Sequence, residues 1–251
     1  MTAQSRSTIA KTGKQNVRLS YFAIVSLLWP FVFAGGCKSP FDRTRDASGG
    51  GGTGAITGSG NLVVFSNELK TGGGAFLYPS GENQALSFND TSNPISARSI
   101  RYTWNGQDVG GQHIFTGFDL MHTATQADYT PTRGRDLRAA NYTKVTFYAR
   151  GSLSANTFMK VEVADDGDPT TPAPCVALSP RGDLDDLFPA TPCGRRDTIT
   201  SDWRQYTIPI SNSNLNPVKD FFKGTFVFLP GGGNIPGGGG TVYFDNIQYA
   251  P

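Results

Sequence analysis

Histidine is scarce in this chain of 251 residues: there are two, His113 and His122. Cysteine occurs three times and never as a CxxC pair, and neither histidine stands near Cys175 or Cys193 in sequence. That spacing argues against a zinc site built on them. The chain has no HExxH and no GxSxG, so the signatures of metalloproteases and of the nucleophile elbow are missing. Glycine runs at 49–52, 72–74, 231–233 and 237–240 lack the strand–glycine–helix setting and the GK[ST] ending of a phosphate loop. No ExDxxE arrangement of carboxylates occurs. Long amphipathic helical patterns are absent as well, which excludes a helical bundle.

Acid is missing from the start of the chain, where nothing negative precedes Asp42, while Arg6, Lys11, Lys14 and Arg18 are all basic. The run YFAIVSLLWPFVF (21–33) follows, then the small residues Ala34, Gly35 and Gly36. A basic segment, an apolar segment and a small-residue cleavage site make a secretory signal. The apolar run is shorter than the ~20 residues of a spanning helix and contains Pro30. The AGGC stretch, Ala34 to Cys37, resembles a bacterial lipoprotein signal. That resemblance implies cleavage before Cys37, lipid on Cys37, and an exported protein held at the bacterial outer membrane or cell surface. Lys38 after the cysteine agrees with outer-membrane sorting.

If Cys37 carries lipid, two cysteines remain in an oxidising compartment. Cys175 then pairs with Cys193 around the 17 residues VALSPRGDLDDLFPATP, a closure worth about 3 kcal/mol on the chain-entropy model. Removing residues 1–36 leaves 18 basic residues against 20 acidic ones, a net of −2. The basicity of the full chain thus belongs to its leader, and no basic patch points to nucleic acid. Residues 37–60, beyond the cysteine itself, are a Gly/Ser/Thr-rich tether. Residues 61–251 are long enough for one domain with a sizeable core.

That domain reads as all-β. Candidate strands are 62–66, 98–104, 113–120, 144–150, 158–164, 204–210, 224–229 and 241–249, set between Gly, Pro, Asn and Asp clusters. In 144–150, Val145, Phe147 and Ala149 share one face, and Tyr148 and Arg150 the other; in 158–164, Met159, Val161 and Val163 oppose Lys160 and Glu162. Each strand thus has a core face and a polar face, the pattern of a sandwich. KDFFKG (219–224) reads as a helical turn, and the segment 165–198 as a long loop that covers a sheet edge or shapes specificity.

Three stretches, LRAANYTKVTFYARGS (137–152), ITSDWRQYTIPI (199–210) and GTVYFDNIQY (240–249), resemble the carbohydrate-binding modules of the galactose-binding-like, jelly-roll type. The resemblance implies a jelly-roll β-sandwich of two antiparallel sheets and a non-catalytic module for a polysaccharide or other glycan ligand. Such a site stacks aromatic rings on sugar faces and hydrogen-bonds the hydroxyls. Alternation supplies its candidates: Tyr102 and Trp104, then Tyr148 and Arg150, then Lys160 and Glu162 on the expected neighbouring strand, with His113 and Asp119 joining by parity. Arg150 and Glu162 read equally well as a cross-strand ion pair. Trp203 is expected to pack inward, as its family counterpart does. The resemblance also implies a structural Ca2+, with Glu68 and Asp245 at the matching positions, while the acidic stretches 164–168 and 182–187 read as solvated loops. The competing readings are a structural or adhesion module that contacts a cell-envelope protein partner, and a weak hydrolase using two facing carboxylates.

Overall fold

Alternation between apolar and polar residues decides which side each strand buries, and the computed structural model shows the outcome strand by strand. It describes residues 60–69, 74–78, 83–107, 115–121, 135–155, 157–168, 170–181, 193–228 and 238–251, all within the unit Asp46–Pro251. The leader, Cys37, the tether, His113 and the acidic stretch 182–187 lie outside the described residues.

Twelve strands are described: β1 (Leu62–Phe65), β2 (Gly74–Tyr78), β3 (Gln84–Asp90), β4 (Ser99–Trp104), β5 (Phe115–Met121), β6 (Lys144–Leu153), β7 (Thr157–Asp165), β8 (Cys175–Ser179), β9 (Arg196–Thr198), β10 (Arg204–Pro209), β11 (Asp220–Phe228) and β12 (Gly240–Ala250). Among the described residues there is no α-helix. Sheet I runs β10-β6-β12-β4-β3, with β1 pairing β12 beyond the end of β4; sheet II runs β2-β5-β11-β7-β8-β9. From β4 onward the chain passes repeatedly from one sheet to the other, as a jelly roll does. Every pairing is antiparallel except the parallel β8–β9 contact.

The inner faces meet through aromatic rings. Tyr102 of sheet I stacks on Phe226 of sheet II at 4.7 Å. Phe222 meets Phe147 at 5.2 Å and Phe244 at 5.3 Å, both edge to face, and all three are fully buried. Burying each such ring is worth about 1.5–3 kcal/mol, so this layer is the main source of cohesion between the sheets. Tyr249 adds a polar tie across it. Its hydroxyl donates to the Phe221 carbonyl at 2.8 Å and accepts from the Ala164 amide at 3.0 Å. Ala164 has φ +53°, so the tie holds β7 where its backbone leaves regular strand geometry, one residue before Asp165.

Three expectations change. Of residues 219–224, all but Lys219 belong to a strand, β11, because Phe222 and Phe226 alternate with Lys223 and Thr225 across Gly224. The segment 165–198 contributes β8 and β9, which extend the edge of sheet II beyond β7. A disulfide joins Cys175, the first residue of β8, to Cys193, just before β9. It ties the start of β8 to the approach to β9, and the loop it closes contains β8 and the crossover that a parallel pair requires. Finally, β7 is not a neighbour of β6. β6 is already paired by β10 on one side and β12 on the other, so the chain turns at Ser154 and enters the opposite sheet.

Candidate functional site

The outer faces of the two sheets carry the polar residues, and they separate the sequence candidates into groups. Tyr102 and Trp104 do share a face, but it is the inner one. Tyr102 is fully buried and Trp104 is 2 % exposed. The Tyr102 hydroxyl donates to Gln84 Oε1 at 2.6 Å, and the Trp104 indole N–H donates to the Gln107 carbonyl at 2.7 Å. Both rings serve the core, so neither can stack on a ligand from solvent. Tyr148 and Arg150 lie on the outer face of sheet I. Asp119, Lys160 and Glu162 lie on the outer face of sheet II. The expected Arg150–Glu162 pair is therefore corrected: the two residues are on opposite sides of the sandwich.

On sheet I the polar groups hold the fold together. Arg150 stands opposite Tyr243 in register, with its guanidinium carbon 3.9 Å from the Tyr243 ring centre and 5.2 Å from that of Trp203. It donates to the Ser92 carbonyl. Trp203 does not pack inward. It is half-buried beside Arg150, and its indole N–H donates to the Asn93 carbonyl at 2.7 Å. The next residues of the same loop are caught by Asp245. That carboxylate accepts from the Ile95 and Ser96 amides at 3.0 Å, from the Ser96 hydroxyl at 2.9 Å and from the Asn246 amide at 2.8 Å. Asn67 Oδ1 takes the Ala97 amide at 2.7 Å.

This arrangement does not fit the expected Ca2+. A calcium ion needs about six to eight oxygen ligands, whereas Asp245 is fully buried and ringed by N–H and O–H donors. Glu68 is exposed. Among the described residues no group of three or more His, Cys, Asp or Glu side chains is placed to hold a metal. Asp166 and Asp168 of the 164–168 stretch accept hydrogen bonds from backbone amides two residues on, as turn formers do.

On sheet II the polar groups form two rows across the strands. In one, Asp119 of β5 faces Lys223 of β11, and Lys223 faces Glu162 of β7. In the other, Tyr78 of β2 faces Gly117, which faces Thr225, which faces Lys160. Gly117 is required here: a Cβ would lie 2.7 Å from the Tyr78 hydroxyl and 2.5 Å from the Gly224 carbonyl. Its absence lets Tyr78 lie across β5 and reach the Thr225 hydroxyl at 2.6 Å. Lys223 Nζ sits 5.6 Å from the Tyr78 ring centre and 3.4 Å from Asp165. Lys160 pairs with Glu162 at 2.6 Å.

The carboxyls at the centre of these rows are buried and the lysines beside them half-buried. Asp119 and Asp220 are each 4 % exposed, while the Lys160 and Lys223 side chains are 21 % and 24 % exposed. Burial raises the Asp119 carboxyl well above the usual carboxylate range, and Asp220 pushes it further, with Lys223 opposing. Burial and then Asp165 push Asp220 up to about 7. Burial works against the Lys223 charge, but Asp119, Asp165, Glu162 and Asp220 outweigh it and hold the ammonium above its ordinary range. Asp119 Oδ1 and Asp220 Oδ1 are buried with no hydrogen-bond partner among the described residues. A buried acceptor left unmatched costs about 1–3 kcal/mol, so this cluster is short of donors.

Of the residues on this face, sequence reasoning had named Asp119, Lys160 and Glu162 as candidates and had not named Tyr78, Lys223, Thr225, Asp165 and Asp220. Alternation through β11 would have found Lys223 and Thr225. Tyr78 follows a glycine run that hides its strand.

Among the solved structures to which this chain is similar are carbohydrate-binding modules of families 30, 11 and 29. The family 30 module of a cellulosomal cellulase from Clostridium thermocellum is 10 % identical, with a TM-score of 0.40, and the match covers 76 % of this chain and 96 % of that one. A family 11 module from the same organism, solved with a β-1,3-1,4-mixed-linked tetrasaccharide, is 14 % identical with a TM-score of 0.38, covering 77 % and 97 %. A family 29 module from Piromyces equi is 12 % identical with a TM-score of 0.35, covering 75 % and 88 %. No family model matches the chain, and no curated protein matches it.

Proposed function

We propose that the domain binds a polysaccharide or glycoconjugate, without cutting it, across the outer face of sheet II. The observation that carries this reading is the pair of rows across β2, β5, β11 and β7. They combine one tyrosine ring with closely alternating donors and acceptors: Lys160, Glu162, Thr225, Lys223 and Asp119. Sugar hydroxyls both donate and accept, so a hydroxyl-rich chain suits such a mixture, whereas an apolar partner would strand it. Paired hydrogen-bonded strands give the groups a rigid base, and rigid placement lowers the ordering cost of binding. Arg150 is assigned to the fold of sheet I instead, because it is taken up by Tyr243, Trp203 and Ser92, and Tyr148 lies on that same face, away from the two rows.

The leader and tether extend the proposal: lipid on Cys37 anchors the protein at the outer membrane or cell surface, and residues 37–60 let the domain reach outward. Mass spectrometry of the membrane fraction tests this, and an unmodified Cys37 peptide would contradict it. The binding reading is tested by a glycan array with the full chain, run with calcium and with chelator. Binding to a defined polysaccharide in both conditions, with no release of reducing ends, is the expected result. A silent array from folded protein would overturn the reading in favour of a protein-contact module, and released reducing ends would overturn its non-catalytic part.

A further inference from the structure

The second row on sheet II does not stop at β7. Lys160 stands in register with Ala177 of β8, and Ala177 with Arg196 of β9. From β2 to β9 the row therefore reads Tyr78, Gly117, Thr225, Lys160, Ala177 and Arg196, a width of about 24 Å at the usual spacing between strands. Alternation gives the side on which Arg196 lies. Val176 and Leu178 of β8 belong to the core between the sheets, so Ala177 has the outer side, and its register partner Arg196 shares it. The residue before Arg196 is used elsewhere: Arg195 Nη1 donates to the Thr207 carbonyl of sheet I at 2.7 Å, and Arg195 pairs with Asp197 at 3.1 Å. Arg196 is half-buried, as Lys160 is.

Strand β9 is three residues long, yet it is fixed at both ends. Before it, the disulfide ties Cys193 to Cys175. At its far end, the Tyr206 hydroxyl donates to the Thr198 carbonyl at 2.9 Å, and the Ile199 amide to the Ser179 carbonyl at 2.8 Å. A guanidinium carries five N–H donors in a rigid fork, which suits two neighbouring sugar hydroxyls at once. A backbone held at both ends lowers the cost of ordering that fork.

We propose that Arg196 is a further ligand-contact residue, which holds glycan hydroxyls at the β9 end of the second row; this rests on the reading of that face as the glycan site. The glycan then runs across the strands, from Tyr78 to Arg196, and not along them.

The test is affinity electrophoresis of the full chain through gels that contain mixed-linked β-glucan, xyloglucan, xylan or galactomannan, and any polysaccharide that the array returns. The reading is the polysaccharide concentration that halves mobility. Arg196→Ala should raise it about tenfold, the order of one hydrogen bond to a charged group. Arg196→Lys keeps a charge and donors and should recover part of the loss. Arg204→Ala removes the same charge at an exposed position on β10 of sheet I and should change nothing. Melting midpoints of the three variants should match that of the unmutated protein. Unchanged retention of Arg196→Ala overturns the inference and leaves the glycan reading standing. An equal loss in Arg204→Ala overturns it as a general charge effect. A loss that comes with a fallen midpoint, and that Arg196→Lys does not recover, overturns it as a structural effect. Failure of every gel to retard the unmutated protein, together with a silent array, overturns both readings.

Discussion

The outer faces of sheets I and II arise from the same alternation in the same chain, yet their polar side chains end differently. On sheet I, Arg150 lies between Tyr243 and Trp203, and Asp245 and Asn67 collect the amides of residues 95–98. Arg150 Nε and Thr146 Oγ1 have no hydrogen-bond partner among the described residues, but the Arg150 guanidinium is flanked by two ring faces that favour a cation, and Thr146 carries no charge. On sheet II, Lys223 and Lys160 answer only part of the acidic charge, and two buried carboxyl oxygens stay unmatched. Side chains that complete one another stabilise a fold. Buried carboxyls left without donors cost it stability.

The comparison can be broken most forcefully on sheet I. Asp245→Ala would remove the buried acceptor of the hydrogen bonds that hold Ile95, Ser96 and Asn246, and a loss of about 3 kcal/mol is expected in urea unfolding. Adding chelator to the unmutated protein should leave its midpoint unchanged, since Asp245 is held by donors and not by a cation. A midpoint that drops on chelation would restore the calcium assignment. Next in size is the disulfide: Cys175→Ala with Cys193→Ala should cost about 3 kcal/mol on the chain-entropy model, because the bridge closes the crossover between β8 and β9. Arg150→Ala should cost about 1–2 kcal/mol through its two ring contacts, while glycan affinity stays as it was.

The mildest test is pH. Asp220 is raised to about 7 and Asp119 is also raised, so the folded protein holds protons that the unfolded chain releases at lower pH. Stability from this source is greatest below the usual carboxylate range and falls as pH rises through about 7. Thermal midpoints should decline across that window in the unmutated protein, and Asp220→Asn should flatten the decline. A midpoint that rises over the same range would show that the cluster is not under the strain described.

How far these faces were legible in the sequence depended on the strand. In β6 and β7 apolar and polar residues alternate plainly, and the inward set of Val145, Phe147, Met159, Val161 and Val163 is buried as alternation requires. Alternation also separates the faces of β4, but it cannot say which face looks inward. Tyr102 and Trp104 went to the wrong side because a strand with Arg101 and Thr103 opposite two aromatics reads equally as a sugar platform or as core. Partner strands were hidden for a different reason: pairing is a long-range choice, and β6 and β7, joined by a short turn, enter opposite sheets. β2 and β3 were missed because glycine and polar residues weaken their periodicity, and with β2 went Tyr78. The acid cluster was least visible, since Asp119, Glu162, Asp165 and Asp220 come from three strands that only the register of β11 brings together.

The central claim is that ligand binding belongs to sheet II and not to sheet I. The most direct measurement is the affinity of the full chain for its best array glycan in two variants, Lys223→Ala on sheet II and Tyr148→Ala on sheet I. The account predicts that Lys223→Ala weakens binding about tenfold or more and that Tyr148→Ala leaves it unchanged. The reverse pattern, with Tyr148→Ala losing the glycan and Lys223→Ala keeping it, would contradict the account and move the site to the other face.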